Sequence, residues 1–129
     1  MTPDLLAWLS TAMDAAQRDA EAATPGPWDP EGDDPTDDIV FTICETPDLV
    51  GDVVAYTRGQ KHQVPNMVHI ARHDPAAVLR RIAADRKLIA ECEKVLAVEG
   101  WEYDDAPTLA EATIRIVAEG YGRTEDETA

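Results

Sequence analysis

His69 and His73 stand four residues apart, a spacing that on a helix puts both imidazoles on one face. Two imidazoles so placed can ligate Zn²⁺ or another transition metal. A third ligand would come from Cys92, Cys44, His62 or a carboxylate, which makes His69, His73 and Cys92 the metal set of this reading. Ile70, not Glu, follows His69, so the HExxH metalloprotease pattern lacks its base. The alternative is structural: both rings sit at a helix end and bond to backbone or to carboxylates. His73-Asp74 also matches the HD pair of metal phosphohydrolases. His62 and Asp85 lie too close in sequence to complete that architecture, and Asp74 before Pro75 reads as a helix N-cap. Nucleophilic catalysis has little footing. Ser10, the sole serine, has no glycine elbow, and Cys44 and Cys92 form no CxxC. No GxGxxG or GxxxxGK[ST] marks a phosphate cradle. The expectation is a protein without catalysis and without a cofactor, zinc being the alternative.

The charge is uneven. The chain of 129 residues carries 26 Asp and Glu against 11 Lys and Arg, a net charge of -15. Residues 1–57 contribute -12, residues 58–94 contribute +4, and residues 95–129 contribute -7. Such a chain is disfavoured as an autonomous binder of nucleic-acid backbone. It suits an acidic face that docks on a basic protein, or one that imitates DNA and blocks a nucleic-acid-binding defence protein. Trp28, Arg72, Arg80, Arg81 and Arg86 are the residues expected to take part in an interaction, the arginines as the basic side of a long helix. Self-association into a homo-oligomer is a further expectation, because that helix carries apolar residues on more than one side. No run of 18 apolar residues spans a membrane, and the first residues lack the basic and apolar regions of a signal peptide. A cytoplasmic protein with reduced thiols is expected.

These residues need elements to hold them. Thr2-Pro3-Asp4 opens a helix whose stripe runs through Leu5, Leu9, Ala12, Ala16 and Ala20, widened by Trp8 and Met13. Thr24-Pro25-Gly26-Pro27 ends it, and Trp28 follows as a plug over the core edge. Residues 29–38 read as an acidic loop. Ile39–Cys44 and Leu49–Thr57 read as strands joined by a turn at Glu45–Asp48. A short helix capped by Asn66 is expected next. A long helix over residues 75–98 then begins at Asp74-Pro75, with Val78, Leu79, Ile82, Ile89, Cys92, Val95 and Leu96 on its apolar side. A last helix opens with a capping box, Thr108 to Glu111, and buries Leu109, Ala112, Thr113, Ile116 and Val117 before Gly120 or Gly122. The expected fold class is α+β: three main helices and one short helix packed on a small antiparallel β-hairpin or meander. The expected organisation is a single domain over residues 1–122 and a disordered acidic tail over residues 123–129.

ATPGPW (residues 23–28) and HIARHDPAAVLRRI (residues 69–82) follow a helix that begins DLLAWL. In this order they resemble a family of small actinobacterial and actinophage proteins of unknown function. The resemblance covers roughly residues 4–96, and TIRIVAEGYG resembles a further stretch common in that family. Many members end in a tail with His and Trp, where this chain reads GRTEDETA. The resemblance implies a phage or prophage setting and brings no catalytic residue. The function expected is that of a small accessory protein that binds another protein.

Overall fold

The computed structural model describes residues 2–31, 39–42, 53–56, 63–100 and 104–124. Along the chain run α1 (Thr2–Ala22), β1 (Trp28–Glu31), β2 (Ile39–Thr42), β3 (Val53–Tyr56), α2 (Gln63–Arg72), α3 (Pro75–Ala97) and α4 (Ala106–Gly120). The α+β expectation is corrected by these lengths. Among the described residues, helices of 21, 10, 23 and 15 residues dominate, against three strands of four residues each. The fold is helix-dominated, and its strands are an appendage too short to form a layer of their own. The β-branched run Leu49–Thr57 yields only Val53–Tyr56 as strand among the described residues. Asp29–Glu31, expected in a loop, is strand. The expected turn at Glu45–Asp48 lies outside the described residues.

Contacts divide the chain into two compact units, Met1–Ala16 with Arg81–Ala129, and Gln17–Arg80. In the first unit the core is built by three helices. Leu5, Leu9 and Met13 of α1, Ile82, Ile89 and Cys92 of α3, and Ala110, Ile114 and Ala118 of α4 are buried. Their spacing is the three-to-four-residue repeat of a helix stripe. Polar links surround the stripes. Arg86 bonds Asp14 at 2.8 Å, and the Arg123 guanidinium lies 5.6 Å from the centre of the Trp8 ring. So Arg123, expected in the tail, has a fixed contact; residues 125–129 lie outside the described residues.

In the second unit, β1, β2 and β3 pair antiparallel in that order, with a register irregularity between Val40 and Phe41. Met67 and Ala71 of α2 are buried against Trp28, Val54, Ala55 and Ile70. α2 begins at Gln63, ahead of the expected Asn66 cap.

α4 corrects two further expectations. It begins at Ala106 with Pro107 in its first turn, so Thr108 lies inside the helix and is no cap. Its buried stripe is Ala110, Ile114 and Ala118, about 130° around the helix from the expected Leu109–Ile116 stripe. Gly122, at φ +97°, closes it: the Gly122 N–H donates to Glu119 O and the Arg123 N–H to Ala118 O. This geometry delivers the Tyr121 hydroxyl to Asp85 of α3, to which it donates at 2.6 Å. The acid that interrupts the apolar side of α3 thereby gains a partner.

Burial, and then the bond to the Asp85 carboxylate, push the Tyr121 phenol well above its ordinary range. The folded chain holds this proton more tightly than the unfolded chain. Its contribution to stability is therefore full below about pH 10, the ordinary phenol value, and is lost as pH rises beyond it. Tyr121→Phe is expected to cost about 1–2 kcal/mol in urea unfolding at pH 7. In an absorbance titration at 295 nm, the same change removes one late-ionising tyrosine from the three in the chain. An unchanged alkaline limb in the variant contradicts this assignment.

Candidate functional site

The two recognisable motifs meet at one buried carboxylate. Asp74, only 8% exposed, precedes Pro75 and the first turn of α3. Its Oδ1 accepts the Ala77 N–H at 2.8 Å, the N-cap bond expected from Asp74-Pro75. Its Oδ2 accepts the Trp28 N–H at 3.2 Å. Gly26 leaves the room: a Cβ there would stand 2.9 Å from that same oxygen. The Trp28 indole N–H donates to Thr24 O at 2.9 Å, closing the turn on itself. Trp28 is half-buried against Met67 and Ala71, a plug as its place after the turn implied. ATPGPW and HDP are thus two halves of one structural joint.

The His69 and His73 rings do come together. Their centres are 4.6 Å apart and their planes tilted by 54°. The His73 N–H donates to His69 O and Ile70 O, which continues helical geometry one residue past α2. His69 is exposed and His73 half-buried. Among the described residues, no group of three or more His, Cys, Asp or Glu forms a metal cluster. Cys92 belongs to the first unit and the histidines to the second. Burial, and then Glu91, push the Cys92 thiol up, which holds it in the protonated form that neither attacks nor ligates well. His62 and Cys44 lie outside the described residues.

The arginines are spread. Arg72 and Arg80 are exposed in the second unit, and Arg81 is exposed in the first. Arg86, half-buried, is engaged with Asp14. On α3, Arg80, Lys87 and Lys94 recur every seven residues, opposite the stripe of Ile82 and Ile89.

One surface was missed by sequence reasoning. Leu109 is 69% exposed and Ile116 65%. They share a face of α4 with Ala112, Thr113 and Gly120, and that face carries no charge. Asp104 and Asp105 precede it and Glu119 borders it, while Glu111 lies on the far side of the helix. The signal lay in Tyr121, which extends the 110-114-118 stripe and leaves 109-116 outside.

Residues 2–126, nearly the whole chain, match the family of unknown function DUF6221. The chain belongs to that family. No curated protein and no solved structure matches it. For this DUF6221 member neither comparison supplies a chemistry. No helix among the described residues is long and apolar enough to cross a membrane.

The joint can be tested directly. Asp74→Ala removes an N-cap acceptor and leaves the Trp28 N–H without its bond, a cost of about 2–4 kcal/mol. Asp74→Asn keeps one acceptor oxygen and is expected to fall between the two. Gly26→Ala is expected to cost about 1–3 kcal/mol through the crowding at Oδ2. Urea midpoints followed by Trp fluorescence give all three, and three wild-type midpoints would contradict the joint.

Proposed function

We propose that this protein is a non-enzymatic accessory factor of phage or prophage type, which acts in the cytoplasm by binding another protein. The observation that supports this is the outward face of α4. Leu109 and Ile116 stand mostly in water on an uncharged strip, in a chain of net charge -15. Folding gains nothing from two large apolar residues left in solvent, whereas a partner's groove gains their burial. Asp104 and Asp105 before the strip, Glu119 at its edge and the net charge of -15 select the partner's chemistry. It fits a protein whose apolar groove is edged with Lys and Arg, and it disfavours a second copy, which would bring acid to acid. Trp28, engaged in the joint, serves the fold in this reading.

The test compares the wild type with Leu109→Glu/Ile116→Glu, matched for helicity by circular dichroism. From an actinobacterial lysate the wild type is expected to retain a discrete basic protein that elutes as salt rises. The double variant is expected to lose that protein. Equal retention by both chains removes the α4 face from the proposal. A concentration-dependent wild-type dimer abolished by the double variant makes the occupant a second copy instead, and overturns the partner reading.

A further inference from the structure

We propose that the outward face of α4 docks on a single basic helix of its partner, with the closest approach at Gly120; this rests on the protein-binding reading of that face. Rows of residues run along the face with the seven-residue period of helices that pack on one another. Leu109 and Ile116 form the middle row, exposed and apolar. Asp105, Ala112 and Glu119 run along one side of it, and Thr113 and Gly120 along the other. Leu109, Thr113, Ile116 and Gly120 alternate four and three residues apart, the spacing of a helix–helix contact line. Large and small side chains alternate along that line, so it offers knobs at Leu109 and Ile116 and holes at Thr113 and Gly120.

Gly120 points to what lies outside. Glycine within a helix is less stable than alanine. Gly120 is the last residue of α4, its φ is not positive, and a Cβ there would meet no atom within 4 Å. Among the described residues nothing requires a glycine at this position, in contrast to Gly26, crowded by Asp74, and Gly122, held at positive φ. A helix crossing from outside does require it, because a missing Cβ lets another backbone approach closely. The Thr113 hydroxyl donates to Leu109 O at 2.7 Å, so the polar end of this side chain is already engaged by its own helix. Asp105 holds the N-cap position, yet its side chain makes no cap bond, and Asp104 accepts the Ala106 N–H at 3.0 Å instead. Exposed Asp105 and Glu119 therefore lie on one edge of the line, about 21 Å apart along the axis, and favour cations at matching intervals on the occupant. That occupant is an amphipathic helix with large apolar side chains over Thr113 and Gly120 and Lys or Arg on the Asp105–Glu119 side. It crosses α4 at about 20°. A second copy of α4 does not fit, since it brings acids where bases are needed.

Fluorescence anisotropy tests this with two labelled, end-blocked synthetic helices of about four heptads, with Ile at a and Leu at d and either Lys or Glu at every e and g; like charges at e and g oppose self-pairing of each peptide. The wild type is expected to bind the Lys helix, less tightly as salt rises, and not the Glu helix. Leu109→Glu/Ile116→Glu is expected to lose the Lys helix although this chain is more acidic, which separates docking from plain charge attraction. Gly120→Leu is expected to weaken binding by about tenfold or more, the effect of excess volume in a packed contact, and Gly120→Ala by less. Both Gly120 variants are expected to have urea midpoints no lower than the wild type's, because alanine and leucine are better helix formers than glycine. A wild type that does not bind the Lys helix overturns the proposal. Gly120 variants that bind it as the wild type does also overturn it, and if the double variant still loses the Lys helix, the protein-binding face stands without the crossing at Gly120. A double variant that binds as tightly as the wild type removes the face and this proposal together.

Discussion

The carboxylate of Asp74 is the constraint around which the second unit is arranged. Removing a charge from water costs several kcal/mol, and nothing apolar around it compensates. Here each oxygen has a backbone donor, and the group sits at the positive end of α3. Hydrogen bonds to a charged group contribute about 1.5–3 kcal/mol each, and the helix end up to about 2 kcal/mol, so the burial is roughly offset. The net gain is small, but the arrangement it selects is narrow. Only a chain that brings the Trp28 N–H to Oδ2 satisfies the second oxygen, and only glycine at position 26 lets it approach. The turn after α1 and the start of α3 are therefore specified together. In the first unit, the periodicity of α3 itself brings Ile82, Ile89 and Cys92 to one buried stripe.

Half of this joint was legible in the sequence. Asp before Pro signals an N-cap through local backbone chemistry alone, and α3 begins where that chemistry requires. The Pro-Gly-Pro turn was legible for the same reason, and α1 stops at Ala22. The bond between Trp28 and Asp74 spans 46 residues, and no local pattern encodes it. The strands show the same limit. Their β-branched residues state a preference, but how many of them pair depends on neighbours distant in sequence, and the helices set the class. At the candidate site, the i,i+4 spacing of His69 and His73 was sufficient to bring the rings together, because one helical turn is local. The relation of Cys92 to them was not local, and the two fall in different units.

α4 shows why a correct helix can carry a wrong face. Two stripes compete on it, one through Leu109 and Ile116, the other through Ala110, Ile114, Ala118 and Tyr121. Hydrophobicity favours the first, since leucine and isoleucine outweigh alanine. Folding favours the second: Ala110, Ile114 and Ala118 are buried, and Tyr121 finds the Asp85 carboxylate at the end of the stripe. A hydrogen bond to a charged group at the end of the buried stripe outweighs the extra methylenes.

The outcome leaves a debt that folding does not settle. Fully burying a Leu or Ile side chain is worth about 1.5–3 kcal/mol, and Leu109 and Ile116 forgo most of it. Polar residues at both positions would leave the Ala110–Ile114–Ala118 seam untouched and make the chain more soluble. Isolated exposed apolar residues are ordinary on any surface. Two of them seven residues apart, on a strip without charge that Asp105 and Glu119 flank in a chain this acidic, form one apolar strip with acidic edges. Stability of the isolated chain gives no reason for that combination, and the proposed recognition of a basic, grooved partner would supply one.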